Sequence, residues 1–213
     1  MAAALRLNTI AMAATGEFGR QVIDFLETCH PGERAVRHAD FTSAFDAQPD
    51  MVTFALWRAD AGLAGRAEHA AHENGIPWLP VVLDHLTIRI GPLVVPGSGP
   101  CFTCFDARLV QHDRHWESTA ALRAGYEGDR ALGPRGFLPQ HARTAAGWAA
   151  GMLAQSAAGS LPPGHVVTLA LPSLDVSRDQ VVAVGSCRRC RETPAPRDMT
   201  TLLRLSEPEG SHV

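Results

Sequence analysis

The chain has 213 residues, 46% of them hydrophobic and 19% charged, with a formal net charge of -3. That length suits one domain or one and a half, with enough apolar surface for a real core and too little charge for disorder, and the near-neutral balance offers no basic face for phosphate-driven nucleic-acid binding. All 19 basic residues are arginine, so no lysine can form a Schiff base, hold pyridoxal phosphate or act as the P-loop cation.

The apolar run Leu7 to Ala13 reads as a first strand, ended by Thr15-Gly16-Glu17-Phe18-Gly19. Val22, Ile23, Phe25 and Leu26 follow at helical spacing and predict a helix from Gly19 to Cys29. Ala35 to His38 is a brief second strand. Met51 to Trp57 is a continuous apolar stretch of the kind buried parallel strands show. Ala61 to Asn74 is an alanine-rich helix stopped by Gly75 and Pro77, and Trp78 to Leu83 is the next strand. This alternation predicts an α/β fold, a Rossmann-like parallel sheet with helices on both faces.

Beyond residue 85 the texture changes. Leu86 to Ile90 and Pro92 to Val95 read as short strands, Phe105 to Arg123 as partly helical, and Gly125 to Pro139 as a loop. Gln140 to Ala158 predicts a small-residue helix, and Val166 to Leu171 with Gln180 to Val184 a strand pair leading into Cys187-Arg-Arg-Cys190. The organisation is then residues 1–95, a Rossmann-like half; residues 96–191, a cysteine-bearing half of the same domain; and residues 192–213, a Pro- and Glu-rich tail with an apolar patch at Leu202-Leu203. No apolar run approaches the ~20 residues that cross a bilayer, and the N-terminus lacks a signal-type apolar core. A cytoplasmic protein is expected, with its five cysteines reduced.

Cys101-x-x-Cys104 and Cys187-x-x-Cys190 carry the strongest chemical signal. A CxxC turn aims two thiolates at one centre, and two such turns supply the tetrahedral sulfur set that zinc prefers. A thioredoxin-type redox pair would explain one CxxC and leave the other unexplained, and chance pairing would have to use four of five cysteines. Structural zinc is the expectation, closed to water and hence not catalytic, clipping the second half of the chain onto the first. Cys29 reads as a buried or partly buried thiol.

Gly16 and Gly19 match the second and third glycines of G-x-G-x-x-G, whereas Ala14 stands at the first. Gly16 would allow close approach to a phosphate, and Asp40 lies about where a ribose-binding acid is expected. Glu17, however, puts a carboxylate where the phosphate would lie. The turn is therefore expected to be structural, with Gly16, Gly19 and Asp40 at most a vestigial nucleotide site, and Asp40 equally able to close a turn. The ten histidines, among them His69, His72, His112 and His115, fall into no catalytic or metal spacing. The four tryptophans read as core or interface anchors.

The segments Ile76-Pro77-Trp78-Leu79-Pro80-Val81, Gly91-Pro92-Leu93-Val94-Val95-Pro96-Gly97, Gly99-Pro100-Cys101-x-x-Cys104 with Asp106, and His112-Asp113-Arg114-His115-Trp116 together resemble the ThiF-type, ubiquitin-activating-like proteins of azole-forming peptide biosynthesis. The resemblance runs from the first strand to Cys190. It implies a ThiF-like fold with a structural zinc on the two CxxC pairs. It also implies two partners, a YcaO-type cyclodehydratase and the ribosomal precursor peptide it modifies, and a possible homodimer. Members of this group usually begin with a winged-helix domain, which has no counterpart before Leu7. Adenylating relatives hold ATP with the glycine loop, an Asp, arginines and a lysine, so ATP binding is expected to be lost. The expected function is a non-catalytic scaffold that supports azoline formation. The alternative is a minimal ATP-dependent adenylating enzyme acting on a peptide or carrier C-terminus.

Overall fold

A computed structural model describes residues 4–129, 131–133 and 136–190. Strand β1 (Thr9–Thr15) runs into helix α1 (Gly16–Cys29), and β2 (Arg34–Arg37), α2 (Phe41–Asp46), β3 (Met51–Leu56), α3 (Ala61–Asn74) and β4 (Trp78–Asp84) complete an alternating α/β half. There follow β5 (Thr87–Ile90), α4 (Phe102–His112), α5 (Trp116–Gly128), α6 (Pro139–Ala157), β6 (His165–Ala170) and β7 (Val176–Gln180). All seven strands form one sheet in the order β2-β1-β3-β4-β5-β6-β7.

Alternation along the buried strands divides the core between two faces. Ile10, Met12, Met51, Leu79, Val81 and Leu83 meet α1 and α6 on one side. Ala11, Ala13, Val52, Phe54 and Trp78 meet α2 and α3 on the other. Helix α6 buries Ala142, Ala145, Ala146 and Ala149, whose small side chains let it pack closely on α1. Asp60 caps α3 by accepting the Leu63 N–H at 2.8 Å, and Gly75 ends it at φ +68°, as the Gly-Pro stop predicts. Among the described residues no helix is long and apolar enough to cross a membrane.

The expected parallel sheet holds only for β2, β1, β3 and β4; β5, β6 and β7 are antiparallel. Asp84 pairs with Thr87 across His85 and Leu86, and so tight a turn can join only antiparallel strands. The segment Pro92 to Val95 is not a strand: only Val94 bridges, exchanging two hydrogen bonds with Trp78. The last strand lies at Val176–Gln180 rather than at Gln180 to Val184. It is fully exposed at the sheet edge, so it has no apolar face to betray it, while Val181, Ala183 and Val184 pack instead on the cysteines. Helix α2 was not anticipated, and α5 extends to Gly128 into the expected loop. The tail 192–213, with Leu202 and Leu203, lies outside the described residues.

Candidate functional site

Cys101 is the residue before the first turn of α4 and Cys104 lies within that turn; Cys187 and Cys190 stand on a turn 86 residues downstream of that pair. Folding brings all four sulfurs within 4.8 Å of one another. Sγ–Sγ separations are 3.7 Å for Cys101–Cys104, 3.6 Å for Cys101–Cys187 and 3.6 Å for Cys104–Cys190. Four sulfurs each about 2.3 Å from a central zinc ion would stand about 3.8 Å apart, so the donor set fits a tetrahedral metal. Cys101, Cys104 and Cys190 are buried, and the Val184 and Cys101 N–H groups each approach a sulfur at 3.3 Å, to Cys104 and Cys190 respectively. Such contacts orient and stabilise thiolates. Burial pushes the Cys101 thiol up, and likewise the Cys190 thiol, to about 11. At Cys187 burial is outweighed by the Cys190 N–H and by the Cys101 and Cys104 thiols, which bring it down to about 7. Four crowded sulfurs of this kind could hold a metal ion as thiolates.

The second CxxC turn also reaches back to α3. Glu68 is 1% exposed, and its Oε1 lies 3.5 Å from both Arg189 Nη1 and His72 Nε2. A carboxylate at this depth needs cationic company, and Arg189 ties the cysteine turn to the first half of the chain. Glu68 was missed in the sequence, though it stands four residues after Ala64 and three before Ala71, both buried, and so on the inner stripe of the helix.

At the glycine turn, Gly16 has φ +67° and opens α1 directly. A Cβ on Gly16 would fall 2.4 Å from Trp57 Cγ, and one on Gly133 would fall 2.7 Å from the far edge of the same indole. Trp57, the residue after β3, is thus held between two glycines 117 positions apart. A Cβ on Gly19 would fall 2.3 Å from the Ala55 carbonyl oxygen, so Gly19 is the residue that lets α1 lie against β3. Both glycines are therefore accounted for by contacts within the chain. Glu17, at the N-terminus of α1, is paired with Arg20 at 2.6 Å and accepts from Gln21, and the Arg20 bond leads in holding its carboxyl below the usual range.

Asp40 caps α2, accepting the N–H groups of Thr42 and Ser43 at 2.9 Å each, and the Ser43 bond leads in lowering its pKa. Asp113 turns the chain between α4 and α5 by accepting from Thr119 and the His115 N–H, with Thr119 the main cause of its lowered pKa. Asp106 pairs with Arg123 at 2.8 Å. Trp78 is in the core as expected, whereas Trp116 is 55% exposed. Cys29 is not buried: it sits exposed at the C-terminal end of α1, its Sγ donating to the Phe25 carbonyl at 3.2 Å.

No family model matches the chain, and no curated protein sequence does. Solved structures do match in fold. A heterocyclase in complex with substrate and cofactor superposes with a TM-score of 0.64 at 18% identity, over 87% of this chain and 26% of that one. The heterocyclase TruD gives 0.62 at 18% identity, over 87% of this chain and 28% of that one. The E. coli microcin synthetase McbBCD complex gives 0.63 at 12% identity, over 87% of this chain and 69% of that one. The chain thus spans little more than a quarter of the heterocyclases' length. At these identities the likeness is one of fold: this chain carries the α/β fold shared by those heterocyclases and the microcin synthetase, as the ThiF-like resemblance of its sequence implies.

Proposed function

We propose that this protein is a non-catalytic ThiF-like partner that supports a YcaO-type cyclodehydratase in forming azolines on a ribosomally made precursor peptide. The observation that carries the reading is the contact of Trp57 with Gly16. In a nucleotide-binding turn, the glycine at this point is bare so that phosphate can approach the backbone. Here the bared face is covered by an indole from the neighbouring strand's end. Glu17 supplies the negative charge that a phosphate would otherwise bring to the N-terminus of α1. Asp40, in the ribose-acid position, spends its acceptors on α2.

The cysteine centre supports the other half of the reading. Cys101, Cys104, Cys187 and Cys190 would hold zinc as a closed tetrathiolate, with no open position for water. Its work is to lock the α4 end and the final turn together and, through Arg189 and Glu68, onto α3. A scaffold needs that rigidity; an adenylating site would need the glycine turn instead. The neighbours in fold include a heterocyclase with substrate bound and a multicomponent synthetase, which is the company such a partner would keep.

The test is reconstitution. A cyclodehydratase encoded beside this chain, assayed on its precursor peptide with and without the protein, should gain azoline formation when it is added and should co-purify with it. Full heterocyclisation without this chain overturns the reading. Calorimetry at millimolar ATP should return no binding, and pyrophosphate exchange in the presence of a peptide would establish the adenylating enzyme instead.

A further inference from the structure

A second site lies on the α3 face of the sheet, away from both the cysteines and the glycine turn. A cavity of about 240 Å³ opens between the C-terminal end of β3, the first turn of α3 and helices α4 and α5. Its floor is apolar, made by Leu56, Val82, Phe102 and Phe105. Ligand sites of ordinary drug size run to about 300–1,000 Å³, so this one suits a group no larger than a single residue.

Arg58 stands in the wall of that cavity, and only 7% of it is exposed. The other arginines near the floor are matched: Arg89 pairs with Asp84 and Arg123 with Asp106. Arg58 has no carboxylate within ion-pair distance among the described residues. Its Nη1 donates to the Asp129 and Leu132 carbonyls at 3.2 and 2.8 Å, and its guanidinium lies 4.9 Å from the centre of the Tyr126 ring and 5.5 Å from that of Trp57. Those contacts fix the plane of the fork. They leave Nε and Nη2 without an acceptor among the described residues. A buried guanidinium held rigid with two donors unspent is a group prepared for an anion.

The first turn of α3 adds to it. Ala61 and Gly62 line the cavity, and their N–H groups have no acceptor among the described residues, since Asp60 caps only Leu63 with its side chain. Tyr126, which stacks on Arg58, is held by a 2.9 Å hydrogen bond with His85 and closes the other side. Two donor sources therefore converge above an apolar floor.

We infer that this cavity binds a carboxylate carried on an apolar group, with Arg58 and the α3 N-terminus holding the anion and the Leu56–Phe105 floor taking the hydrocarbon. A peptide ending in a large apolar residue carries that chemistry. The inference does not rest on the partner role, because it is read on the isolated full chain rather than on a cyclodehydratase's activity, so either can fail alone.

The experiment is calorimetric titration of the full chain with N-acetyl-L-phenylalanine, its neutral amide and inorganic phosphate. The acid should bind saturably in the millimolar range or tighter, and the amide and phosphate at least roughly tenfold more weakly, since one lacks the charge and the other the hydrocarbon. Arg58→Met should abolish acid binding. Because Arg58 also ties down residues 129–132, a second variant guards against misfolding. Gly62→Leu meets only the tips of Arg66 and Asp60, both beyond 3.5 Å, so it should fold normally, project over the cavity mouth and abolish binding with the melting temperature kept. Equal binding of acid and amide, equal binding of phosphate, or no saturable binding of the acid overturns the inference. So does parent-like binding by Gly62→Leu.

Discussion

The indole of Trp57 lies against the α-carbon of Gly16, its Cγ 2.4 Å from the point a Cβ on that glycine would occupy. If Gly16 is a glycine because of Trp57, the two positions must be energetically coupled. Gly16→Ala is expected to cost about 1–3 kcal/mol in the parent chain, from overpacking and from a positive φ that a Cβ strains. In a Trp57→Ala background the overpacking vanishes and only about 1 kcal/mol of backbone cost should remain. Denaturant unfolding of the four chains in a double-mutant cycle reads the coupling directly. Additive effects would remove the internal explanation for this glycine.

Gly19→Ala should be the more damaging change. Its Cβ would fall 2.3 Å from the Ala55 carbonyl oxygen, a backbone atom of β3 that cannot swing aside. Helix α1 must then shift off the sheet, at an expected cost of about 3 kcal/mol, at the upper end of overpacking. Trp57→Ala should not relieve this cost, because the clash is with Ala55, and thermal melting of the pair checks it.

Metal analysis of the protein is expected to return one zinc per chain, since four thiolates complete one tetrahedral shell. Cys101→Ser and Cys190→Ser should each lose the metal and lower stability by several kcal/mol, on the order of what structural zinc contributes in small domains. Chelator treatment of the parent should do the same. Variants that melt like the parent and retain no metal would show the centre to be dispensable.

Acid should destabilise the protein in two steps. Burial, with help from Arg178, holds the imidazole of His165 below its ordinary value of 6.5. The unfolded chain then takes up this proton more readily than the folded one, so stability falls as pH drops below about 6.5 and levels off below the folded pKa. The lowered pKa values of Asp40 and Asp113 act with the same sign but only in the carboxylate range, below about 4. His165→Gln should flatten the first step and leave the second. Urea midpoints measured between pH 4 and 8 decide it.

The cysteine centre was legible in the chain because its geometry is local twice over: each CxxC turn presents two sulfurs before any tertiary contact forms. The β1-turn-α1 unit, β3, α3, β4 and α6 were legible for a similar reason, since each carries its own apolar periodicity. Strand β7 was not, because Val176–Gln180 is exposed throughout and an edge strand without an inner face shows no alternation. Nor was the turn of the sheet to antiparallel order after β4, which depends on a two-residue connection at His85 and Leu86 rather than on hydropathy. Glu68 was half legible: helical spacing puts it on the inner stripe, but its partner Arg189 is 121 positions away.

By itself the sequence determined the α/β class, the four sulfur ligands and the absence of any lysine, all of them properties of residue type and short-range spacing. Only the tertiary structure decided what the glycines are for. Gly16, Trp57 and Gly133 are far apart in the chain, and a turn that reads as a phosphate cradle reads the same way when a neighbouring strand's end fills it. The same holds for Arg58, whose unspent donors become a feature only where α3, α4 and α5 close around them. Contacts between distant segments depend on where folding brings their backbones, and no local pattern encodes that.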